Sequence, residues 1–200
     1  MDSNFSNDVH INQLKKTLNF KLVSLRRLAP YLTFDRMKKI TECLIYSNLM
    51  YCLPIYGYEP KFQRTLQKLV NCAARIVLNR GPRASASYML YELKWLNVHN
   101  LYRLECICWL KRIISSKSAP YTLNALLEGS KRKQKSYNTR DCSLQIGLNH
   151  SSRYVRQSFI YNAVNEMNLL KLPGRLYPEE TEYRQFVKEE ILRKYSNSNL

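Results

Sequence analysis

Apolar residues recur at steps of three and four along most of this chain, the period of a helix with one buried face. The best-defined stretch is Pro60 to Arg80, PKFQRTLQKLVNCAARIVLNR. At about 100° per residue, Phe62, Leu66, Leu69, Val70, Ala73, Ile76 and Val77 fall on one side, and Lys61, Arg64, Lys68, Asn71 and Arg75 on the other. Pro60 suits a first helical turn, where its missing N–H leaves no bond unmade, and Gly81-Pro82 is expected to stop the helix after Arg80. The polar side is a cationic stripe with no acid inside it. A solvated face is the plain reading of such a stripe, and a surface for polyanions is the sharper one.

The flanking patterns extend this picture. Residues 1–8 are polar and read as a frayed tail, and from Val9 to Leu32 the positions Ile11, Leu14, Leu18, Leu22, Leu25, Leu28 and Leu32 predict an amphipathic helix that Pro30 ends. Lys15, Lys16, Arg26 and Arg27 lie on its polar side. Thr33 can cap a second helix with Phe34, Met37, Ile40, Leu44, Ile45 and Leu49 inward. Arg36, Lys38 and Lys39 near its start oppose the helix dipole, which suggests a role other than stability. The segment YCLPIYGY, Tyr51 to Tyr58, reads as a tight turn whose tyrosines pack a corner or stack on bases.

Further on, helices are expected over Ser87 to Trp95, over Val98 to Ile114 with Leu101, Leu104, Ile107, Cys108 and Ile114 inward, over Pro120 to Glu128 and over Ser152 to Leu170. Trp95 and Trp109 read as core anchors. Ser143 to Leu148 alternates as a short strand does. The last helix carries Glu179, Glu180 and Glu182 at its start and Lys188, Arg193 and Lys194 towards its end, which complements the dipole and marks it as structural. The expected fold is therefore mainly α, an irregular bundle of about six to eight helices with at most one short strand or hairpin in the last third. Its regions are a helical stretch over residues 9–128, a basic loop over 129–143 and a helical subdomain over 144–200 packed on the first.

Charge changes the picture most. The chain of 200 residues carries 32 Lys and Arg against 15 Asp and Glu, a net charge of +17. Before Pro178 there are 28 basic and 10 acidic residues, and from Pro178 onward 4 and 5. A field of this sign favours polyanions by steering and counterion release, with nucleic acid first, and an anionic membrane or an acidic protein second. The segment GSKRKQKSYNTRDCS, Gly129 to Ser143, concentrates Lys131, Arg132, Lys133 and Lys135 in an expected exposed loop suited to phosphate contacts or nuclear import.

Candidate chemistry is sparse. Six cysteines at irregular spacings, with no CxxC, read as reduced and buried, and Cys106 and Cys108 point about 160° apart on a helix, which disfavours a zinc site. The four aspartates, Asp2, Asp8, Asp35 and Asp141, are scattered, and no histidine has a Ser, Cys or Asp at a triad-like spacing. No phosphate-cradling glycine motif occurs. The polar first ten residues predict no secretory leader, and the longest uncharged stretch, Cys43 to Tyr58, falls short of the ~20 apolar residues of a membrane helix. The expectation is an intracellular chain, nuclear or cytoplasmic, that is no enzyme by itself, needs no cofactor and has no membrane partner.

Seven pieces in order resemble the region just downstream of the catalytic core in reverse transcriptases of non-LTR (LINE-like, jockey-type) retrotransposons. They are the opening His10, Ile11 and Leu14; LRRL at Leu25 to Leu28; YCLPIYG; LQKLVNCAARIVLN, similar to the family's LQxxQNxAxRxI; ELKWLNV at Glu92 to Val98; SAPYTL at Ser118 to Leu123; and RQSFIYNAVNEMNLLKLP at Arg156 to Pro173. The last resembles SFxxxAxxxWNxLP, with Met167-Asn168 in place of Trp-Asn. The resemblance spans residues 9–192. It implies a thumb and the region after it, without palm, fingers or endonuclease, and no stretch matches the family's Tyr-x-Asp-Asp loop or a cysteine–histidine knuckle.

A thumb helix lies against the template–primer duplex and contacts its backbone, which wants a basic stripe on a rigid helix. The resemblance thus implies a noncatalytic binder of RNA or RNA–DNA hybrid with little sequence preference. Lys61, Arg64, Lys68 and Arg75, or Lys15, Lys16, Arg26 and Arg27, would be the docking cations, and an intact reverse transcriptase is a further candidate partner. The alternatives are an α-helical protein-interaction module, a polymerase part acting in trans with aspartates from another chain, and a translated relic without present function.

Overall fold

A computed structural model describes residues 7–116, 159–170 and 180–196. The fold is mainly α, an irregular bundle, and no strand occurs among the described residues. The helices are α1 (Asp8–Leu28), α2 (Phe34–Thr41), α3 (Ser47–Met50), α4 (Leu53–Tyr56), α5 (Pro60–Val77), α6 (Ala86–Leu93), α7 (Val98–Ser116), α8 (Phe159–Leu170) and α9 (Glu180–Ser196). A 3-10 turn, Ala29–Tyr31, follows α1, and a π turn, Glu42–Tyr46, joins α2 to α3. The expected helix over Pro120 to Glu128, the basic loop and the strand at Ser143 to Leu148 lie outside the described residues.

The chain divides into two units, Met1–Tyr102 and Arg103–Leu200. In the first, α1 buries Ile11, Leu14, Leu18, Leu22 and Leu25, and α5 buries Phe62, Leu66, Leu69, Val70, Ala73, Ala74 and Val77. Both sets follow the step of three and four that the sequence displays. The two helices pack side by side and run in the same direction, since Lys61 at the start of α5 meets Asp8 at the start of α1, and Arg26 late in α1 reaches Cys72 late in α5. The far flank of α5 is held by amides: Gln67 accepts from the Val98 backbone N–H at 2.7 Å and donates to Asn71 at 2.7 Å, while Gln63 meets the His99 ring at 3.0 Å. Asn71, on the polar side of the stripe, thus serves packing.

Several expectations are corrected here. The second helix is interrupted by the π turn, and Met37, Thr41, Ile45 and Leu49 are buried in successive steps of four while Phe34 is 49% exposed. Steps of four drift around a regular α-helix; a wider i→i+5 turn keeps them on one side. Helix α5 ends at Val77, before Gly81-Pro82, because Asn79 takes the left-handed conformation at φ 48° and the Arg80 N–H bonds back to the Arg75 carbonyl at 3.0 Å. The YCLPIYGY segment holds α4, entered through Cys52 at φ 54°. Its Tyr56 does pack a corner, being buried with its hydroxyl donating to the Leu49 carbonyl at 2.7 Å, whereas Tyr51 is 70% exposed.

Trp95 is the anchor its pattern implies, buried edge-on against Tyr46 with its indole N–H donating to Glu42 at 2.7 Å. Trp109 is not: it is 43% exposed, with the Arg112 guanidinium 5.0 Å from its ring. Among the described cysteines only Cys106 and Cys108 are buried, Cys43 is exposed, and all are free thiols. Cys106 and Cys108 are both buried although they point apart, because α7 buries nearly every residue from Leu104 to Leu110.

In the second unit Leu104, Ile107 and Leu110 of α7 are buried, as are Ala163, Val164, Met167 and Leu170 of α8 and Tyr183, Val187 and Ile191 of α9. Met167 stands where the resembled family has Trp, and it is a core residue. Carboxylates pair with the described arginines of this unit: Arg103 with Glu166 at 2.9 Å, Arg184 with the buried Glu105 through both carboxylate oxygens, Arg112 with Glu180 and Arg193 with Glu190 at 2.7 Å. Lys194 donates to the Leu169 carbonyl and Lys111 lies over the Tyr183 ring at 3.8 Å.

Candidate nucleic-acid interface

Helix α1 presents Asp8, Lys15 and Arg26 in one line, since intervals of seven and eleven residues return to nearly the same angle at about 100° per residue. Helix α5 repeats the device with Lys61, Lys68 and Cys72. The two lines face each other along one flank of the α1–α5 contact and are tied at both ends. At one end Lys61 Nζ lies 3.2 Å from Asp8 Oδ1 and 3.1 Å from Glu59 Oε1. At the other, Arg26 Nη2 lies 3.7 Å from Cys72 Sγ, a thiol one turn from both Lys68 and Arg75.

The tertiary structure thus sorts the eight cations of α1 and α5 that the sequence singles out. Lys15, Arg26 and Lys68 border one seam, while Arg64 and Arg75, eleven residues apart and so on one line, lie on the outer side of α5 beside it. Lys16 and Arg27 are exposed on the outward side of α1, away from its buried stripe. Lys61 is engaged by the carboxylates of Glu59 and then Asp8, which push its pKa above the ordinary lysine value. The stripe carries no acid of its own, but Asp8, which opens α1 instead of lying in a frayed tail, supplies one from a neighbouring helix. The four basic-loop residues, Lys131, Arg132, Lys133 and Lys135, lie outside the described residues.

The remaining cations are left open. Among the described residues no carboxylate pairs with Lys15, Lys16, Arg26, Arg27, Arg64, Lys68 or Arg75. Arg75 is half-buried, and its Nε has no hydrogen-bond partner among them. Guanidinium and ammonium groups on a rigid helix pair, with their stems laid on apolar surface, form a surface that meets phosphate oxygens without reading bases. Sequence reasoning did not pair Arg26 with Cys72, because nothing local signals which two helices touch.

Among the described residues no group of three or more His, Cys, Asp or Glu side chains is placed to hold a metal ion. No described helix is long and apolar enough to cross a membrane. Comparison of the chain with family models, with curated proteins and with solved structures found no match.

Proposed function

We propose that this chain is a noncatalytic nucleic-acid binder, a fragment or remnant of a non-LTR retrotransposon reverse transcriptase, that grips the backbone of RNA or RNA–DNA hybrid along the α1–α5 seam. One observation carries the reading. Lys15, Arg26 and Lys68 border one seam, with Arg64 and Arg75 on the outer side of α5 beside it, and none of the five has a carboxylate partner among the described residues, while Lys61 and the described arginines of the second unit are paired. A backbone-binding surface needs cations of this kind, rigidly spaced and not neutralised from within. The resemblance of seven ordered segments to the family's thumb region supplies the nature of the polyanion.

The test is binding of the full chain to labelled RNA, RNA–DNA hybrid and duplex DNA across a salt titration, with Lys15, Arg26 and Lys68 changed to Glu. Each phosphate neutralised contributes about 0.9 to the slope of log K against log salt on a duplex. The expected result is a steep slope that flattens by about three in the triple variant at unchanged helicity. Lys61→Ala is expected to flatten it less than Lys68→Ala, because Lys61 is already paired. Weak binding, equal in wild type and triple variant, would sink the reading.

A protein-interaction module remains as a second reading on a specific observation: α1 exposes Val9 at 63%, Phe20 at 74% and Val23 at 46% on its outward side. That reading expects association that survives high salt and is lost in Phe20→Ser.

A further inference from the structure

The opposite flank of α1 carries a different surface. His10, Leu14, Thr17 and Lys21 follow one another there at steps of four and three, facing the π turn and α3. Between them and Ser47, Asn48 and Tyr51 lies an open groove of about 410 Å³, with Gln13 at its outer lip and Leu14 in its floor. That volume is within the range of small-ligand sites, about 300–1,000 Å³. Its polar lining is amide, hydroxyl and imidazole, with no Lys, Arg, Asp or Glu among the lining residues.

We infer that this groove takes an unstacked nucleobase, presented by a single-stranded segment or by a free nucleotide. The chemistry of the lining selects that class. A base needs an aromatic platform and edge groups that donate and accept hydrogen bonds, and needs no counter-charge. Tyr51 supplies the platform, standing 70% exposed at the groove's end where the packing of the fold leaves it unused. Asn48 is held by its amide nitrogen, which donates to the Leu44 carbonyl at 2.8 Å and to Ser47 Oγ at 3.4 Å and leaves Oδ1 as the acceptor without a partner among the described residues. The Gln13 amide offers a donor and an acceptor across from it, a pair that suits the adenine edge.

Two backbone features hold these side chains in place. Leu44 lies in the π turn, and its carbonyl is met by both Asn48 and the Lys21 ammonium, the latter at 3.5 Å. Single π turns inside helices recur at functional sites because they re-aim the groups that follow. Cys52, directly after Tyr51, is held in the left-handed conformation at φ 54° and separates α3 from α4 there. Lys21, one turn beyond Thr17 on the same edge, sets a cation where the phosphate of a bound nucleotide would extend. The groove does not depend on the seam, which flanks the other side of the buried stripe.

The test uses the full chain and adenosine 5′-monophosphate, followed by calorimetry, beside ribose 5-phosphate, a short oligoadenylate and an abasic strand with the same number of phosphates. The nucleotide is expected to bind wild type and Tyr51→Phe alike, and Tyr51→Ala between about five-fold and about 100-fold more weakly, the span of base stacking on an aromatic ring. Ribose 5-phosphate is expected not to bind. An oligoadenylate preferred over the abasic strand identifies a single strand as the source; equal binding of the two identifies the free nucleotide. No nucleotide binding, equal binding of ribose 5-phosphate, or affinity unchanged in Tyr51→Ala would overturn the inference. The backbone reading fails separately, as an abasic strand that binds without salt dependence or not at all.

Discussion

Thr41 is fully buried at the end of α2, and its hydroxyl has no hydrogen-bond partner among the described residues. A buried hydroxyl without a partner costs about 1–3 kcal/mol relative to one left in water. Thr41→Val keeps the shape and removes the orphan group, so it is expected to raise stability by about 1 kcal/mol, read as a higher urea midpoint at unchanged slope. A lower midpoint would show that the hydroxyl is satisfied. The same residue marks a limit of pattern reading. A threonine among Met37, Ile45 and Leu49 scores as polar, and its burial follows from the step of four that the π turn preserves.

The elements meet closely at Gly57, where α4 hands over to α5. A Cβ there would lie 2.6 Å from the Leu53 carbonyl oxygen and 2.7 Å from the Tyr102 ring. The first neighbour is backbone and the second a buried side chain, so neither yields cheaply. Gly57→Ala is therefore expected to cost about 1–3 kcal/mol, seen as a lower thermal midpoint with the two helices intact by circular dichroism. Unchanged stability would mean that the corner relaxes freely. The sequence announces this glycine only as a turn residue. Its φ of −74° is open to any residue, and what demands glycine is the approach of the Leu53 carbonyl and of Tyr102, the latter 45 residues further on.

At the scale of the molecule, burial acts on acids as well as on packing. Burial raises the Cys108 thiol from an ordinary 9.0 to about 11, and it pushes the Tyr46, Tyr56 and Tyr183 hydroxyls above their ordinary 10.0. An acid with a raised pKa holds its proton more firmly folded than unfolded. Its contribution is complete below the unfolded value and is lost as pH rises through the folded one. Stability is thus expected to be flat at neutral pH and to fall from pH 9.0 through about 11, measured by urea unfolding at stepped pH. Stability that held steady across that range would contradict the burial of these groups. Cys43, which is exposed, is expected to react with a thiol reagent at neutral pH well before the buried Cys106 or Cys108.

The sequence by itself determined the helices and their buried faces, because a step of three and four is a local property that any partner surface will satisfy. The stripes of α1 and α5 are legible residue by residue for this reason, as are the capping charges of α9. Only the tertiary structure decided which helices touch. That placed Arg26 beside Cys72, neutralised Lys61 with Asp8, and set Tyr51 against the polar flank of α1. It also decided that Trp109 faces outward, since a tryptophan signals a large apolar surface but not the direction from which it is covered. The charge of a side chain is written in the chain; whether another charge cancels it depends on residues some 50 positions away, and that distance is closed only by folding.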